Sequence, residues 1–126
     1  LSQLALKPEL ATAIEEVEAA FPGQVSVEPD ESGAIVHIAN VELGPGWSST
    51  VGVLSFLLPY SYPDAAIYPY HVTGAVPAGV SDGALQQVSW RGTQATQVSL
   101  RHNRWNPALD TALGSVLLVL ARLRGR

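Results

Sequence analysis

The chain has 126 residues, 47% of them apolar and 14% charged, with no cysteine and a net charge of −4. That is enough chain and apolar surface for one domain, residues 1–126, with a core of its own. It also excludes disulfides, thiolate metal sites and thiol nucleophiles. No apolar run reaches the ~18 residues of a membrane span, the longest being Val51–Leu58 and Val116–Ala121. With no signal-peptide pattern in view, a cytoplasmic protein without membrane contact is expected.

Pro8 suits a first helical turn, and Leu10, Ile14, Val17 and Phe21 follow at steps of four, three and four. The spacing predicts an amphipathic helix with Glu15, Glu16 and Glu18 facing outward, ended by Phe21-Pro22-Gly23. Gln24–Glu28 reads as a short strand and Asp30-Glu31-Ser32-Gly33 as a turn. Ala34–Leu43 is rich in β-formers, with Val36 and Ile38 on one face. Gly44-Pro45-Gly46 turns the chain into a third strand over Trp47–Leu58. A proline cannot donate a ladder hydrogen bond, so Pro59 ends that strand, and Pro63 holds Tyr62 out of the helical region. The stretch Phe-Leu-Leu-Pro-Tyr-Ser-Tyr-Pro-Asp is therefore a stiff aromatic loop, followed by a fourth strand at Tyr68–Thr73.

Residues 74–94 hold Gly74, Pro77, Gly79, Gly83 and Gly92, and predict loops with at most a short helical turn. Thr96–Leu100 is suited to an extended conformation. Asn106 as N-cap and Pro107 as first residue predict a final helix carrying Leu109, Leu113, Val116, Leu117 and Leu120, ending near Gly125. The short connections favour an antiparallel meander of four strands, giving an α+β fold: helix, meander, loop-rich stretch, helix.

Charge is polarised along the chain. Residues 1–64 hold nine acids and one base, Lys7, for −8, whereas residues 65–126 hold two acids and six arginines, for +4. Such polarity fits an oriented protein partner, and equally two helices with oppositely charged solvent faces. An acidic chain without a basic, aromatic-studded cluster gives no footprint for nucleic acid.

Two motifs, in this element order, resemble the ubiquitin-conjugating-enzyme fold. One is Phe56-x-x-Pro59-x-x-Tyr62-Pro63, similar to that family's signature after its third strand; the other is Trp105-Asn106-Pro107-Ala108-Leu109, similar to its Trp-x-Pro-x-Leu. The likeness is closer to the bacterial, cysteine-lacking relatives, the prokaryotic family E type, associated with ubiquitin-like modification operons. Their Arg-His-Asn, Trp-x-Pro, Asp pattern reads here as Arg101-His102-Asn103-Arg104-Trp105-Asn106-Pro107 and Asp110.

The resemblance implies that Pro59, Tyr62, Pro63, Trp105 and Pro107 are scaffold bracing the active-site region. It implies a ubiquitin-like protein and an activating enzyme as partners, and no cofactor. It departs from the family where the chemistry lies. The thioester cysteine, eight residues before the tryptophan, falls on Gln97, no His-Pro-Asn tripeptide occurs, and Ala66-Ile67 replaces the second proline pair.

Two readings stay open: a non-catalytic binding adaptor, or a carrier in which a hydroxyl forms an oxyester in place of the thioester. For the second, the candidate catalytic residues are Ser99, His102 and Asn103, with His102 as base. Arg101 and Arg104 would grip the acidic surface or carboxylate tail of the partner. Plainer roles are a strand serine, a loop-orienting histidine and a turn asparagine. His37, His71 and His102 stand 34 and 31 residues apart, which matches no local metal-ligand motif, so no metal site is expected; a metal-dependent or histidine-dependent hydrolase unrelated to ubiquitin stands as a third class, which a metal assay would support or exclude.

Overall fold

The computed structural model describes residues 7–78, 84–100 and 105–124. Pro8–Ala20 forms helix α1, whose buried residues Leu10, Ala13, Ile14 and Val17 follow the predicted stripe. Glu15, Glu16 and Glu18 face solvent. Four strands follow: β1 (Val25–Asp30), β2 (Gly33–Glu42), β3 (Val51–Pro59) and β4 (Tyr70–Thr73). They pair antiparallel in chain order, with a register shift between Ile38 and Val41 where Asn40 takes φ 58°. Pro59 is the last residue of β3, as its missing N–H requires.

The sheet does not stop at four strands. Residues expected as loop and as one short extended piece form two further strands, β5 (Leu85–Trp90) and β6 (Thr93–Val98). They join through the two-residue turn Arg91-Gly92, with φ 53° and 79°. Positive φ at both central residues is the turn whose twist matches paired strands. The result is one six-stranded antiparallel sheet in the order β1-β2-β3-β4-β6-β5. The four-stranded meander is thus corrected, because the glycine that marks the stretch as irregular is a hairpin turn.

The last helix, α2 (Ala112–Arg124), starts later than Asn106-Pro107 predicts. Those residues build a separate turn: Ala108 N donates to Asn106 Oδ1 at 2.9 Å, and Asn106 N donates to Asp110 Oδ2 at 2.7 Å. Thr111 is the true cap, its Oγ1 accepting from Gly114 N at 3.0 Å. The later start rotates the buried face to Ala112, Ser115, Val116, Val119, Leu120 and Leu123. Leu109 and Leu117, expected inside, are 78% and 50% exposed. Gly125, the expected stop, lies outside the described residues. Among the described residues, no helix is long and apolar enough to cross a membrane.

Both helices pack on one face of the sheet. Alternation along the strands sends Ala34, Val36 and Ile38 of β2, Leu54, Phe56 and Leu58 of β3, and Tyr70 and Val72 of β4 into that core. Two polar ties are buried with them: Tyr70 OH to Ser115 Oγ at 2.6 Å, and Trp47 Nε1 donating to Leu123 O at 3.2 Å.

The stiff loop after β3 is fixed from α2 and from the segment before it. Tyr62 is buried, and its hydroxyl accepts from Ala112 N, the first residue of α2, at 2.9 Å. Trp105 Nε1 donates to Pro63 O at 2.7 Å, with its ring 6.3 Å from that of Tyr62. Lys7 reaches the same loop by donating to Tyr60 O. Truncating Trp105 to alanine removes both the ring and the donor to Pro63. A loss of about 2–3 kcal/mol in urea unfolding is expected, and a Trp105→Ala protein as stable as the parent would contradict this bracing role.

Candidate functional site

The face away from the helices carries the unusual chemistry. The register aligns Ser26 of β1, His37 of β2, Ser55 of β3, His71 of β4, Gln97 of β6 and Gln86 of β5. One cross-sheet row is therefore polar at every strand. The neighbouring rows on the same face are more apolar, with Ile35 opposite Leu57 on one side, and Val53 opposite Thr73 and Val88 opposite Ala95 on the other.

Ser55 sits in the middle of this row and is 1% exposed. A buried hydroxyl needs a partner, and its neighbour across β2 supplies one. Ser55 Oγ lies 2.7 Å from His37 Nδ1, and His37 Nε2 lies 2.6 Å from Glu28 Oε1 of β1. With the ring neutral and Nε2–H donating to the carboxylate, Nδ1 is an acceptor and Ser55 is the donor. Glu28 is bound in turn by Arg91 at the tip of the β5–β6 hairpin, Nη2 to Oε2 at 3.0 Å. Asp30 Oδ1 lies 3.9 Å from the same guanidinium.

The hairpin therefore folds back over the open face and moors on the opposite edge strand. Trp90 lies flat against His71, ring centroids 4.4 Å apart and planes 10° apart, and meets His37 edge-on at 6.3 Å. The Arg91 guanidinium carbon is 5.8 Å from the Trp90 ring centre. The Gln97 side chain bonds His71 and, through Nε2, donates weakly to Ser99 Oγ at 3.4 Å.

Hydroxyl, imidazole and carboxylate here stand in the order that general-base activation of a serine uses. The burial of Ser55 decides against that use in this conformation, since a side chain so enclosed meets no substrate. What the arrangement does is tie three strands and the hairpin tip into one hydrogen-bonded unit.

The residues singled out in sequence fall elsewhere. Ser99 lies just after β6, half-buried; its N–H donates to Ala84 O at 2.8 Å and its hydroxyl is held by the Gln97 amide, which cannot take a proton. Gln97, at the ungapped cysteine position, belongs to the polar row. Arg101, His102, Asn103 and Arg104 lie outside the described residues. Pro59, Tyr62, Pro63 and Trp105 are brought together as the brace described above, while Pro107 lies in the exposed turn before α2. His37 and His71 flank Ser55 across adjacent strands, although 34 residues separate them in sequence. No family model matches the chain, and no curated protein and no solved structure matches it.

Acid attacks this unit from two sides. The hydrogen bond from His37 holds the Glu28 carboxyl below its ordinary 4.5 against the opposing pull of desolvation, with Arg91 adding to the effect. The stability it contributes is present above that value and is lost as pH falls through the lowered one. Burial pushes the His71 ring below its ordinary 6.5, only partly offset by Gln97. The unfolded chain then takes up its proton first, so stability falls once pH drops below 6.5. Urea midpoints followed from about pH 8 to about pH 3 should therefore decline in two stages, the first below the ordinary histidine value and the second below the ordinary carboxylate value, and a flat profile would exclude this account.

Ser55→Ala should cost about 1–2 kcal/mol in the same assay at neutral pH, because it leaves His37 Nδ1 without its donor. A neutral outcome would show that the row is not held through Ser55.

Proposed function

We propose that this chain is a cysteine-less, ubiquitin-conjugating-enzyme-like protein of a bacterial ubiquitin-like pathway, acting in the cytoplasm. It binds a ubiquitin-like protein, and the activating enzyme that delivers it, without forming a covalent adduct of its own. The observation that carries this reading is the union of the two motifs behind the resemblance. Trp105 of the second motif donates to Pro63 of the first at 2.7 Å, across 42 residues of sequence, and the Tyr62 hydroxyl accepts the first amide of α2. Two short matches that also pack on one another are better support than either alone.

The non-covalent form is preferred to an oxyester because of how Ser99 is held. Its hydroxyl accepts from an amide, and an amide is no base. The serine that does face an imidazole is Ser55, which is enclosed. Among the described residues neither Ser55 nor Ser99 is both open to a partner and set against a base, which fits an adaptor that displays its partner.

Intact mass spectrometry after incubation with the ubiquitin-like protein, the activating enzyme and ATP tests this directly. The expected result is an unchanged mass, together with co-elution of chain and modifier in gel filtration. A mass gain of one modifier that disappears in Ser99→Ala would replace the adaptor by an oxyester carrier. Absence of both adduct and co-elution would remove the ubiquitin-like reading.

A further inference from the structure

The sheet has two edges, and they are built differently. Edge strand β1 contains Glu28, Pro29 and Asp30, and Arg91 binds its carboxylates. Charges, a proline and a covering contact are the usual guards against unwanted strand pairing. Edge strand β5 reads Leu85-Gln86-Gln87-Val88-Ser89-Trp90, with no charge and no proline. Its register against β6 runs without a shift through all six pairs, so no bulge bends it away.

The hairpin turn fixes which backbone groups that edge offers. A two-residue turn makes its flanking pair, Trp90 and Thr93, a hydrogen-bonded pair. Ser99 N donating to Ala84 O at 2.8 Å sets the same phase at the other end of the ladder. Alternation then aims the N–H and C=O of Leu85, Gln87 and Ser89 away from β6, toward the open side. Beside them lies a depression of about 340 Å³, lined by Gln87, Val88, Ser89 and Gln94, with no ionisable group in its lining.

We propose that this edge pairs with the same edge of a second copy, joining two six-stranded sheets into one. The outward residues are centred on Gln87, so a two-fold axis there maps the set onto itself, placing Gln87 opposite Gln87 and Leu85 opposite Ser89 of the second copy. A symmetric pairing brings a strand's own charges together across the axis, which a strand carrying charge of one sign cannot tolerate and this uncharged one can. Each outward residue exchanges two backbone bonds with its opposite number. The pairing is independent of the ubiquitin-like reading.

Sedimentation velocity at rising concentration should show a monomer passing to a dimer, and Gln87→Lys, which sets two like charges face to face at the axis, should abolish the dimer without changing far-UV circular dichroism. Because the chain has no cysteine, single substitutions report the register cleanly. Opposed residues in a hydrogen-bonded antiparallel pair have Cα atoms about 5.5 Å apart, inside the disulfide range. Gln87→Cys should therefore cross-link to itself under mild oxidation, whereas Gln86→Cys, whose opposite is Val88 of the second copy, should not. A monomer at every concentration overturns the proposal, as does equal cross-linking of the two cysteine variants. Should Gln87→Lys fail to fold, the cysteine pair still decides.

Discussion

A hydroxyl buried at the centre of a sheet has to be answered by another polar group, and much of the open face follows from how Ser55 is answered. His37 Nδ1 accepts its hydrogen bond, which leaves the N–H at the far ring nitrogen needing an acceptor. Glu28 provides it and so becomes a buttressed carboxylate that needs a cation. Arg91 is that cation, and it sits on a turn two strands beyond β4. Each demand is met one strand further out, until the two edges of the sheet are linked. The tip of the hairpin is thus held down by polar satisfaction and by the stack of Trp90 on His71, while Leu85 and Val98 at its base join the apolar core that seats the helices.

That division of labour bears on function. The helix side is a conventional core, and its loop after β3 is fixed by Trp105 and by the first amide of α2. A partner protein would meet a preorganised frame there, with little ordering cost on this side of the complex. The hairpin side is held by a few directional bonds, so its response to acid or to the loss of one partner is steeper.

The sequence made some of this legible and concealed the rest for identifiable reasons. Helix α1 shows because Leu10, Ile14 and Val17 keep helical spacing, and the end of β3 shows because proline has no donor. The β5–β6 hairpin is concealed because Arg-Gly lacks the usual Asn-Gly or Asp-Gly signal, and because Gln86, Gln87, Gln94 and Gln97 blur the alternation of in and out. Asn106-Pro107 imitates a helix start, but Thr111 makes the cap. The polar row cannot be read from spacing. Glu28, His37 and Ser55 are nine and eighteen residues apart, and a one-residue slip in either register would send them to opposite faces. Ser99 was legible as a residue, while its amide partner depended on knowing that β6 is a strand.

Arg91 also carries a conflict between local and distant preference. At φ 53° it occupies a left-handed position that an L side chain adopts at a cost of about 1–2 kcal/mol, and that glycine or asparagine fills more readily. Local propensity would choose a different residue; the carboxylates of β1, some sixty residues away in the chain, require this one. The hairpin therefore closes against its own turn preference and is rewarded only once the rest of the sheet is in place. The turn's geometry thus depends on the β1 carboxylates being in place, and losing them would return Arg91 to the preference of its own backbone.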